Sequence, residues 1–294
     1  MKNIILAAVL LITVNACTRK EVGAVSFDVT TASATYNVGD SVIFNFSGNP
    51  DYIVFYSGEN GSNYQNRKRI SAVGTPILSF LSYEQYGNHT NTLHLMISSD
   101  FVGTYDSASL ESATWTEITN RANLSLGKDS TPSGNVVLSD FVRQDTPVYV
   151  AFKYADQQDG INSQRTWTIR NLQVINKLQD STSTLLLDIP NSIWLGVNLL
   201  NPAVKWNVTS TYLSVSGGNK TALSNEDWVI SQPVYLNKVN PDAGVSIKTL
   251  TDPVLKSYYH VFTKPGNYTV VFDATNASLS NMTEAVKTLN ITIK

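Results

Sequence analysis

Short runs in which every second residue is apolar are the feature of this sequence that most restricts its fold. In one such run Val42, Phe44 and Phe46 are separated by single residues. The same spacing recurs at Leu93, Leu95 and Ile97; at Val148, Val150, Phe152 and Tyr154; at Trp167, Ile169 and Asn171; at Val270 and Phe272; and at Leu289, Ile291 and Ile293. A period of two places one side of a strand on a core and the other toward water. Gly, Asn, Asp and Pro separate the runs, so the sequence predicts an all-β chain built from β-sandwiches.

The polar residues of this chain are mostly uncharged. Charged residues make up 15% of the sequence, against about 25% in an average soluble protein. The net charge is −2, and the densest basic run, Arg67–Arg69, fits a solvated turn. A nucleic-acid groove needs clustered Lys and Arg. The composition therefore predicts no nucleic-acid partner.

The N-terminus has the order of an export signal. A cationic start at Lys2 precedes an apolar run from Ile4 to Ile12, and Cys17, the only cysteine, follows Ala16. The apolar run is too short to span a bilayer, which takes about 20 residues. The ending at 14–17 resembles a bacterial lipobox, which implies a signal peptide at 1–16, lipidation of Cys17 and a tether over 17–23. The alternative is an ordinary signal peptide with a chance cysteine.

Two distant segments resemble the two halves of one domain. Residues 36–59 resemble the opening of a PKD-type immunoglobulin-like domain, although Phe55–Glu59 stands where that family has its Trp-Asp-Phe-Gly-Asp-Gly turn. Residues 259–276, with Pro265-Gly266 before a strand, resemble its closing half. We therefore predict a sandwich split in sequence, 24–75 plus 251–294, with a second domain, 76–250, inserted into it. A row of sequential sandwiches is the alternative.

The inserted segment carries a resemblance of its own. Its runs 115–119, 148–154, 165–172 and 225–233 resemble the jelly-roll modules of secreted adhesins and galactose-binding-like domains. Over its whole length the chain resembles the DUF5017-type lipoproteins of Bacteroides-like bacteria, through 48–59, 67–69, 225–231 and 264–275. That resemblance implies an outer-membrane lipoprotein beside glycan-uptake machinery, and it implies no activity.

The sequence shows no pattern that predicts catalysis or a cofactor. A nucleophile needs a base and an orienting group, but the chain has no Gly-x-Ser-x-Gly elbow, and its histidines, His89, His94 and His260, read as surface or structural residues. No His, Cys or carboxylate spacing fits a transition-metal site. Asp156 and Asp159 could hold Ca²⁺ in a loop, although the spacing matches no EF-hand loop and a solvated loop is the interpretation we favour. We expect no enzyme and no cofactor.

Aromatic residues are the remaining indication of function. Sugar-binding sites combine aromatic platforms with a few placed polar groups. Trp194 lies in a loop-like stretch bounded by Pro190 and Pro202, and Trp206 follows soon after it. Both are candidate ligand contacts, with a place in the core as the alternative. We therefore expect a noncatalytic, lipid-anchored protein that binds a polysaccharide or oligosaccharide for an uptake system. The alternatives are an adhesin or scaffold that binds a protein, and a glycan hydrolase with an unrecognised carboxylate pair.

The side of the membrane follows less directly from the sequence. Association with outer-membrane uptake proteins favours the cell surface over the periplasm. Thr18-Arg19-Lys20-Glu21 follows the cysteine, however, and surface-exported lipoproteins of this group usually have acidic residues there. We expect the cell surface, and we note that this segment points the other way.

Overall fold

The structure, a computed structural model, describes residues 23–279 and 281–294. The predicted signal peptide, Cys17 and the tether before Gly23 lie outside the described residues. The chain forms two compact units. The split unit consists of the chain up to Tyr64 together with Ala243–Lys294, and the inserted unit is Gln65–Asp242. The prediction of an all-β sandwich fold is confirmed.

Within the described residues the strands follow one another with few helices between them. The first four, in the split unit, are β1 (Phe27–Thr31), β2 (Thr35–Tyr36), β3 (Ser41–Gly48) and β4 (Tyr52–Tyr56). The inserted unit holds β5 (Thr75–Gln85), β6 (Leu93–Ser98), β7 (Thr116–Glu117), β8 (Thr131–Pro132), β9 (Val136–Val137), β10 (Tyr149–Asp156), β11 (Thr166–Lys177), β12 (Ser183–Asp188), β13 (Trp194–Leu200), β14 (Asn207–Val208), β15 (Tyr212–Ser216) and β16 (Asn225–Ser231). The chain returns to the split unit with β17 (Val245–Lys248), β18 (Ser257–Val261), β19 (Gly266–Ala277) and β20 (Met282–Ile293).

The helical elements of the described chain are short. They are the α-helix α1 (Ser107–Ser112) and the 3-10 turns Tyr64–Asn66, Thr119–Arg121 and Ser139–Phe141. The side chain of Asp106 caps α1 by accepting from the Ser109 N–H at 2.7 Å. Such a cap satisfies one of the backbone donors left open at a helix start. None of the helices in residues 23–279 and 281–294 has the length and apolarity needed to cross a membrane.

The split unit is a sandwich of a three-stranded and a five-stranded sheet. Their strand orders are β1–β3–β18 and β17–β4–β19–β20–β2. The alternation predicted for β3 buries Phe44, whose ring meets that of Phe272 on β19 with centroids 5.1 Å apart. Phe46 meets Phe272 at the same distance. These contacts join residues far apart in the sequence, so the core holds the two chain segments together.

The inserted unit has two larger sheets. One has the order β13–β16–β10–β6–β7, and the other has the order β14–β15–β11–β5–β8, with β12 beside β11 and β9 beside β5. Phe80 of one sheet meets Phe152 of the other edge to face at 5.3 Å. The core between the sheets also takes in Trp167, Ile169 and Val229. The inserted unit is therefore a second β-sandwich with its own core.

The first sheet of the inserted unit is buried on both faces. Met96 and Ala151 lie on its outer face, yet they are 9% and 0% exposed. They belong to a second apolar cluster with Phe101 and Leu110, which come from the segment around α1. This covering segment explains why β6 does not alternate cleanly between buried and exposed positions.

Strand β11 departs from the predicted alternation. The sequence places Asn171 on the face of Trp167 and Ile169, but Asn171 is exposed and has a φ of 49°. The pairing of β11 with β5 shifts register between Arg170 and Gln173. A β-bulge inserts one residue and exchanges the faces beyond it. Leu172 is therefore the buried residue that follows Ile169 on the core side.

The unit boundaries lie about ten residues before the positions expected from the sequence. Residues 65–75 belong to the inserted unit, where Val239 N–H donates to the Ile70 carbonyl at 3.0 Å and Arg69 pairs with Asp242 at 2.8 Å. Residues 243–250 belong to the split unit because β17 pairs with β4. Backbone pairing across the sequence gap, which no local pattern encodes, sets both boundaries.

Candidate functional site

Four connections of the inserted unit meet at one end of its sandwich. Strand β5 ends at Gln85 and β15 at Ser216, both opposite Thr166, where β11 begins. In the other sheet β10 ends opposite the start of β16, and β13 ends there too. The register therefore brings together the loops 86–92, 157–165, 201–206 and 217–224. We call this region the loop end.

A cleft of about 540 Å³ opens in the loop end. Most of its lining side chains are uncharged hydrogen-bonding groups: Asn88, Thr90, Asn91, Thr92, Gln157, Ser224 and Asn225. The remaining lining residues are His89, Ala155, Asp156, Leu200 and Glu226. Amide and hydroxyl groups both donate and accept hydrogen bonds. The cleft thus offers many donors and acceptors with little net charge.

Asp156 is the buried centre of this end. Its side chain is 1% exposed. It accepts hydrogen bonds from the Arg165 N–H at 2.7 Å, the Gln157 N–H at 2.8 Å and the Tyr154 hydroxyl at 3.1 Å, and it also contacts His89 Nδ1. These partners occupy the acceptor positions of the carboxyl group. Burial and the neighbouring Asp156 charge raise the pKa of Tyr154.

His89 joins two carboxylates across the cleft wall. Its Nδ1 faces Asp156, and its Nε2 lies 2.9 Å from Asp159 Oδ2. Hydrogen bonding to Asp159, and then to Asp156, raises the pKa of His89. The hydrogen bond between His89 and Asp159, together with bonds from the backbone N–H groups of Asn162 and Ile161, lowers the pKa of Asp159. Carboxylates only accept, so both ring nitrogens donate when the imidazole is protonated.

The side chain of Arg165 holds the loop 86–92 through hydrogen bonds to its backbone. Its Nη1 donates to the Tyr86 carbonyl at 2.6 Å and its Nε to the His89 carbonyl at 2.7 Å. The buried Glu84 lies 3.3 Å from the same Nε, and burial raises the pKa of Glu84. Charge-assisted bonds of this kind are about twice as strong as neutral ones. The loop backbone is therefore held in place before any ligand arrives.

Side-chain amides and hydroxyls connect the other loops. Gln164 donates to the carbonyls of Ala222 and Leu223 at 3.3 and 3.1 Å, and Asn88 donates to Asn162 at 3.1 Å. Gln158 N–H donates to the Ser224 hydroxyl at 3.0 Å. Asn201 donates to the Leu223 carbonyl at 3.3 Å. All four connections are thus tied to one another, which lowers the entropy lost when a ligand binds.

Each part of the loop end also carries one exposed apolar side chain. Tyr86 is 68% exposed, Ile161 79%, Leu200 51% and Leu223 62%. Tyr86 begins the loop whose following residues line the cleft. Exposed apolar groups around a polar depression are typical of a surface that binds a ligand.

The two tryptophans singled out from the sequence lie in the core between the sheets. Trp194 is 4% exposed and donates its indole N–H to the Asp188 carbonyl at 3.0 Å. Trp206 is 8% exposed and donates to the Asp227 carbonyl at 3.1 Å. Both indole N–H groups are satisfied and both rings pack in the core, which was the alternative interpretation of their sequence context. Trp206 also lines a cavity beside β13.

The loop proposed for Ca²⁺ is organised by protein donors. Asp159 Oδ1 accepts from the N–H groups of Ile161 and Asn162 at 2.7 Å each, while Oδ2 faces His89. In the described chain no group of three or more His, Cys, Asp or Glu side chains has the geometry to hold a metal ion. The two carboxylates thus serve to order the loop around His89.

Of the residues that line the cleft, the sequence drew attention only to Asp156, as a possible Ca²⁺ ligand, and to His89, as a surface or structural residue. Asn88-His89-Thr90-Asn91-Thr92 directly precedes the predicted strand that begins at Leu93, and its run of hydrogen-bonding residues was the available signal. The partners that make it a site come from β10, β13 and β16. Those partners are distant in sequence, so local patterns could not bring them together.

Comparison with known proteins identifies a family of unknown function. A family model described as a domain of unknown function (DUF5017) matches residues 16–194, which is more than half of the chain. The match includes two of the four loops that form the cleft, 86–92 and 157–165. No curated protein and no solved structure matches the chain.

Proposed function

Because this chain belongs to the DUF5017 family, whose description states no activity, we propose its function from its own geometry. It is a noncatalytic carbohydrate-binding protein of the cell envelope that serves glycan uptake, and its ligand is a polysaccharide or oligosaccharide. The observation that carries this proposal is the cleft at the loop end, with its prearranged amide and hydroxyl lining.

The chemistry of the lining fits a polyhydroxylated ligand. A sugar hydroxyl donates one hydrogen bond and accepts others, as do the groups of Asn88, Asn91 and Gln157 that line the cleft. The exposed ring of Tyr86 offers an apolar face of the kind on which the C–H side of a sugar stacks. A polar cleft with an aromatic neighbour supports binding of a neutral glycan.

The charges near the cleft argue against an anionic ligand. The cation of Lys153 lies 2.9 Å from Glu226, and His89 lies between Asp156 and Asp159. Cations already paired with carboxylates attract a phosphate or sulfate only weakly, because binding would have to break those pairs.

The same pairing supports a noncatalytic role. A glycosidase needs an acid and a second carboxylate at a fixed separation. In the cleft Asp156 is occupied by backbone, tyrosine and histidine donors, while Glu226 holds Lys153 and accepts from the Trp228 indole at 3.1 Å. Both carboxylates thus organise the protein around the cleft.

The envelope location rests on the N-terminal sequence. Cys17 lies outside the described residues, and the lipid anchor, the outer membrane and the cell-surface side are part of the proposal. Protease treatment of intact cells tests the location, since protection from the protease would contradict surface exposure.

The binding proposal is tested with a glycan array and affinity gel electrophoresis of the full mature chain. We expect retardation by at least one neutral polysaccharide, and a loss of about tenfold in affinity for Tyr86→Ala and for Asn91→Gly. Glycine is chosen because Asn91 has a φ of 56°. Tyr259→Ala, which removes a tyrosine that is 65% exposed on the split unit, is the matched control. Absence of binding to every neutral glycan would overturn the proposal.

One observation favours a protein partner as a second candidate. On the outer face of the three-stranded sheet Ile43 pairs directly with Tyr259, and they are 50% and 65% exposed. Strand β18 also leaves one edge unpaired, and such edges and apolar faces are used in protein recognition. A partner captured by the full chain in the absence of sugar, and lost with Tyr259→Asp, would favour an adhesin or scaffold.

A further inference from the structure

A second cavity of about 360 Å³ lies on the edge of the inserted unit formed by β13. Gly196 and Asn198 line it from that edge strand, Asp227 from the neighbouring β16, and Lys205 and Trp206 from the connection after β13. None of these residues belongs to the lining of the first cleft. The cavity is therefore a separate feature that needs its own explanation.

Asp227 is the unusual group in this cavity. It is 1% exposed, and its Oδ1 contacts the side-chain amide of Asn198. Its Oδ2 has no hydrogen-bond partner in the part of the chain that the structure describes. Burial raises the pKa of Asp227 to about 7. A buried polar atom without a partner is costly and rare in folded proteins, so a group from outside the chain that reaches this oxygen, through a shift of the side chains that cover it, would relieve that cost.

The cavity has room for such a group because residue 196 is glycine. A Cβ built on Gly196 would meet only the Trp228 carbonyl, at an ordinary contact distance of 3.7 Å. Trp206 forms a fixed wall, since its indole N–H donates to the Asp227 carbonyl. Strand β13 is the edge of its sheet, so the cavity is reached from the side of the sandwich.

The groups present select a hydroxyl over a cation. A carboxyl oxygen accepts from a hydroxyl when ionised and donates to it when protonated. A hydroxyl therefore satisfies Asp227 Oδ2 in either state. Lys205 lines the same cavity and its positive charge acts on Asp227. That charge disfavours an ammonium group or a metal ion there.

The cavity adjoins the cleft at the loop end. Consecutive residues of β16, Glu226 and Asp227, line the cleft and the cavity respectively. On β13, Leu200 lines the cleft and Asn198 lines the cavity. Strand residues advance by about 3.3 Å each and successive side chains point to opposite faces, so a chain-like ligand in the cleft reaches the cavity by passing around the edge strand β13.

We infer that the Asp227 cavity is a second subsite that takes a hydroxyl group, so that the ligand is an extended neutral oligosaccharide spanning both sites. This inference rests on the proposed function. It adds that affinity depends on chain length, because a single sugar unit in the cleft leaves Asp227 Oδ2 unsatisfied.

Calorimetric titration of the full mature chain tests the inference. The probes are neutral oligosaccharides of about one to six units, prepared from the polysaccharide that retards the protein most in affinity gels. For the wild type we expect affinity to rise by about tenfold or more once the chain is long enough to reach Asp227. Gly196→Leu, which fills the cavity, should abolish this rise and leave the binding of the shortest ligand unchanged.

Leu195→Ala is the matched control, since Leu195 lies on the same edge strand and is 42% exposed. It should retain the full dependence on chain length. If Gly196→Leu does not fold, as judged by circular dichroism, Gly196→Ala and Gly196→Val take its place and should reduce the rise in order of size. A rise that survives in all folded Gly196 variants would overturn the inference while the cleft proposal stands. Failure of every oligosaccharide to bind would overturn both.

Discussion

The two units of this protein are both sandwiches, but their interiors differ. Of the 18 buried polar or charged residues in the described chain, only Ser57 and Lys248 belong to the split unit. The split unit instead closes around Phe44, Phe55 and Phe272, whose ring centroids lie 5.1 to 5.9 Å apart. The inserted unit buries carboxylates and amides at the end where its loops meet.

We relate the apolar core of the split unit to stability and the polar interior of the inserted unit to the proposed binding. An apolar aromatic core stabilises without specifying a ligand, because its contacts are non-directional. Buried polar networks are costly unless every member has a partner. At the loop end Asp156 has its partners, whereas Asp227 Oδ2 lacks one in the described chain. The polar interior of the inserted unit is thus where we place the binding sites.

The largest expected loss of stability comes from a substitution in the aromatic core of the split unit. Phe272→Ala removes ring contacts to Phe44, Phe46 and Phe55, and we expect a loss of about 3–5 kcal/mol in the free energy of unfolding. Hydrogen exchange should report the loss mainly in the split unit. Ile43→Ala, at a residue on the outer face, should change stability by about 0.5 kcal/mol or less. If Phe272→Ala instead loosened the loop end first, the two units would not be energetically distinct.

An intermediate loss of stability is expected for a substitution at His89. His89→Gln removes a protonated ring between Asp156 and Asp159, and we expect a cost of about 2 kcal/mol at pH 5.5. The pKa of His89 is raised from 6.5 in the folded protein. Its stabilisation is therefore complete below about pH 6.5 and is lost as the pH rises through the folded pKa.

Urea denaturation at pH 5.5 and pH 9 measures this dependence. The difference between wild type and His89→Gln should shrink at the higher pH, and exchange protection in the split unit should not change. An equal difference at both pH values would show that the ring acts by packing alone.

The smallest expected effect is a gain in stability, for a substitution at Asp227. Asp227→Asn removes a buried carboxyl whose pKa is raised to about 7. A raised carboxyl pKa destabilises the fold as the pH rises from about 4 to about 7, and the cost is constant above that. The variant should therefore be more stable than the wild type by about 1 kcal/mol at pH 8 and nearly equal at pH 4.

The same denaturation series, run at pH 4 and pH 8, measures this gain. The charged groups nearby are Glu226, Lys205 and, when ionised, Tyr154, so Glu226→Gln is a useful control for the origin of the pH dependence. Lower stability of Asp227→Asn at pH 8 would mean that the carboxylate is already well paired, and it would remove the main reason for a second subsite.

Local patterns predicted much of the fold. The period-two runs identified β3, β6, β10, β19 and β20, and Phe44, Phe46 and Phe272 from two of these runs pack together in the core. The departures have local physical causes. Asn171 leaves the predicted face because a bulge exchanges the faces of β11, and Met96 is buried because the segment around α1 covers its sheet.

The candidate site was less accessible to sequence reasoning. Trp194 and Trp206 drew attention because tryptophan is rare and the flanking prolines suggested loops. The structure places both in the core, with Trp194 starting β13. His89 read as a surface or structural residue, because the carboxylates that give it a role lie 67 and 70 residues away.

The sequence by itself determined that this chain is all-β, since the alternation of apolar and polar residues is a local property that each strand carries independently. Only the tertiary structure decided which loops share one end and where the units begin and end. It also placed Asp156 and Asp227 on the paired strands β10 and β16, two positions apart in register, both buried but with opposite hydrogen-bonding outcomes. The physical reason is that a binding site depends on pairings between distant strands. Those pairings are set by the combined burial and hydrogen bonding of the whole unit.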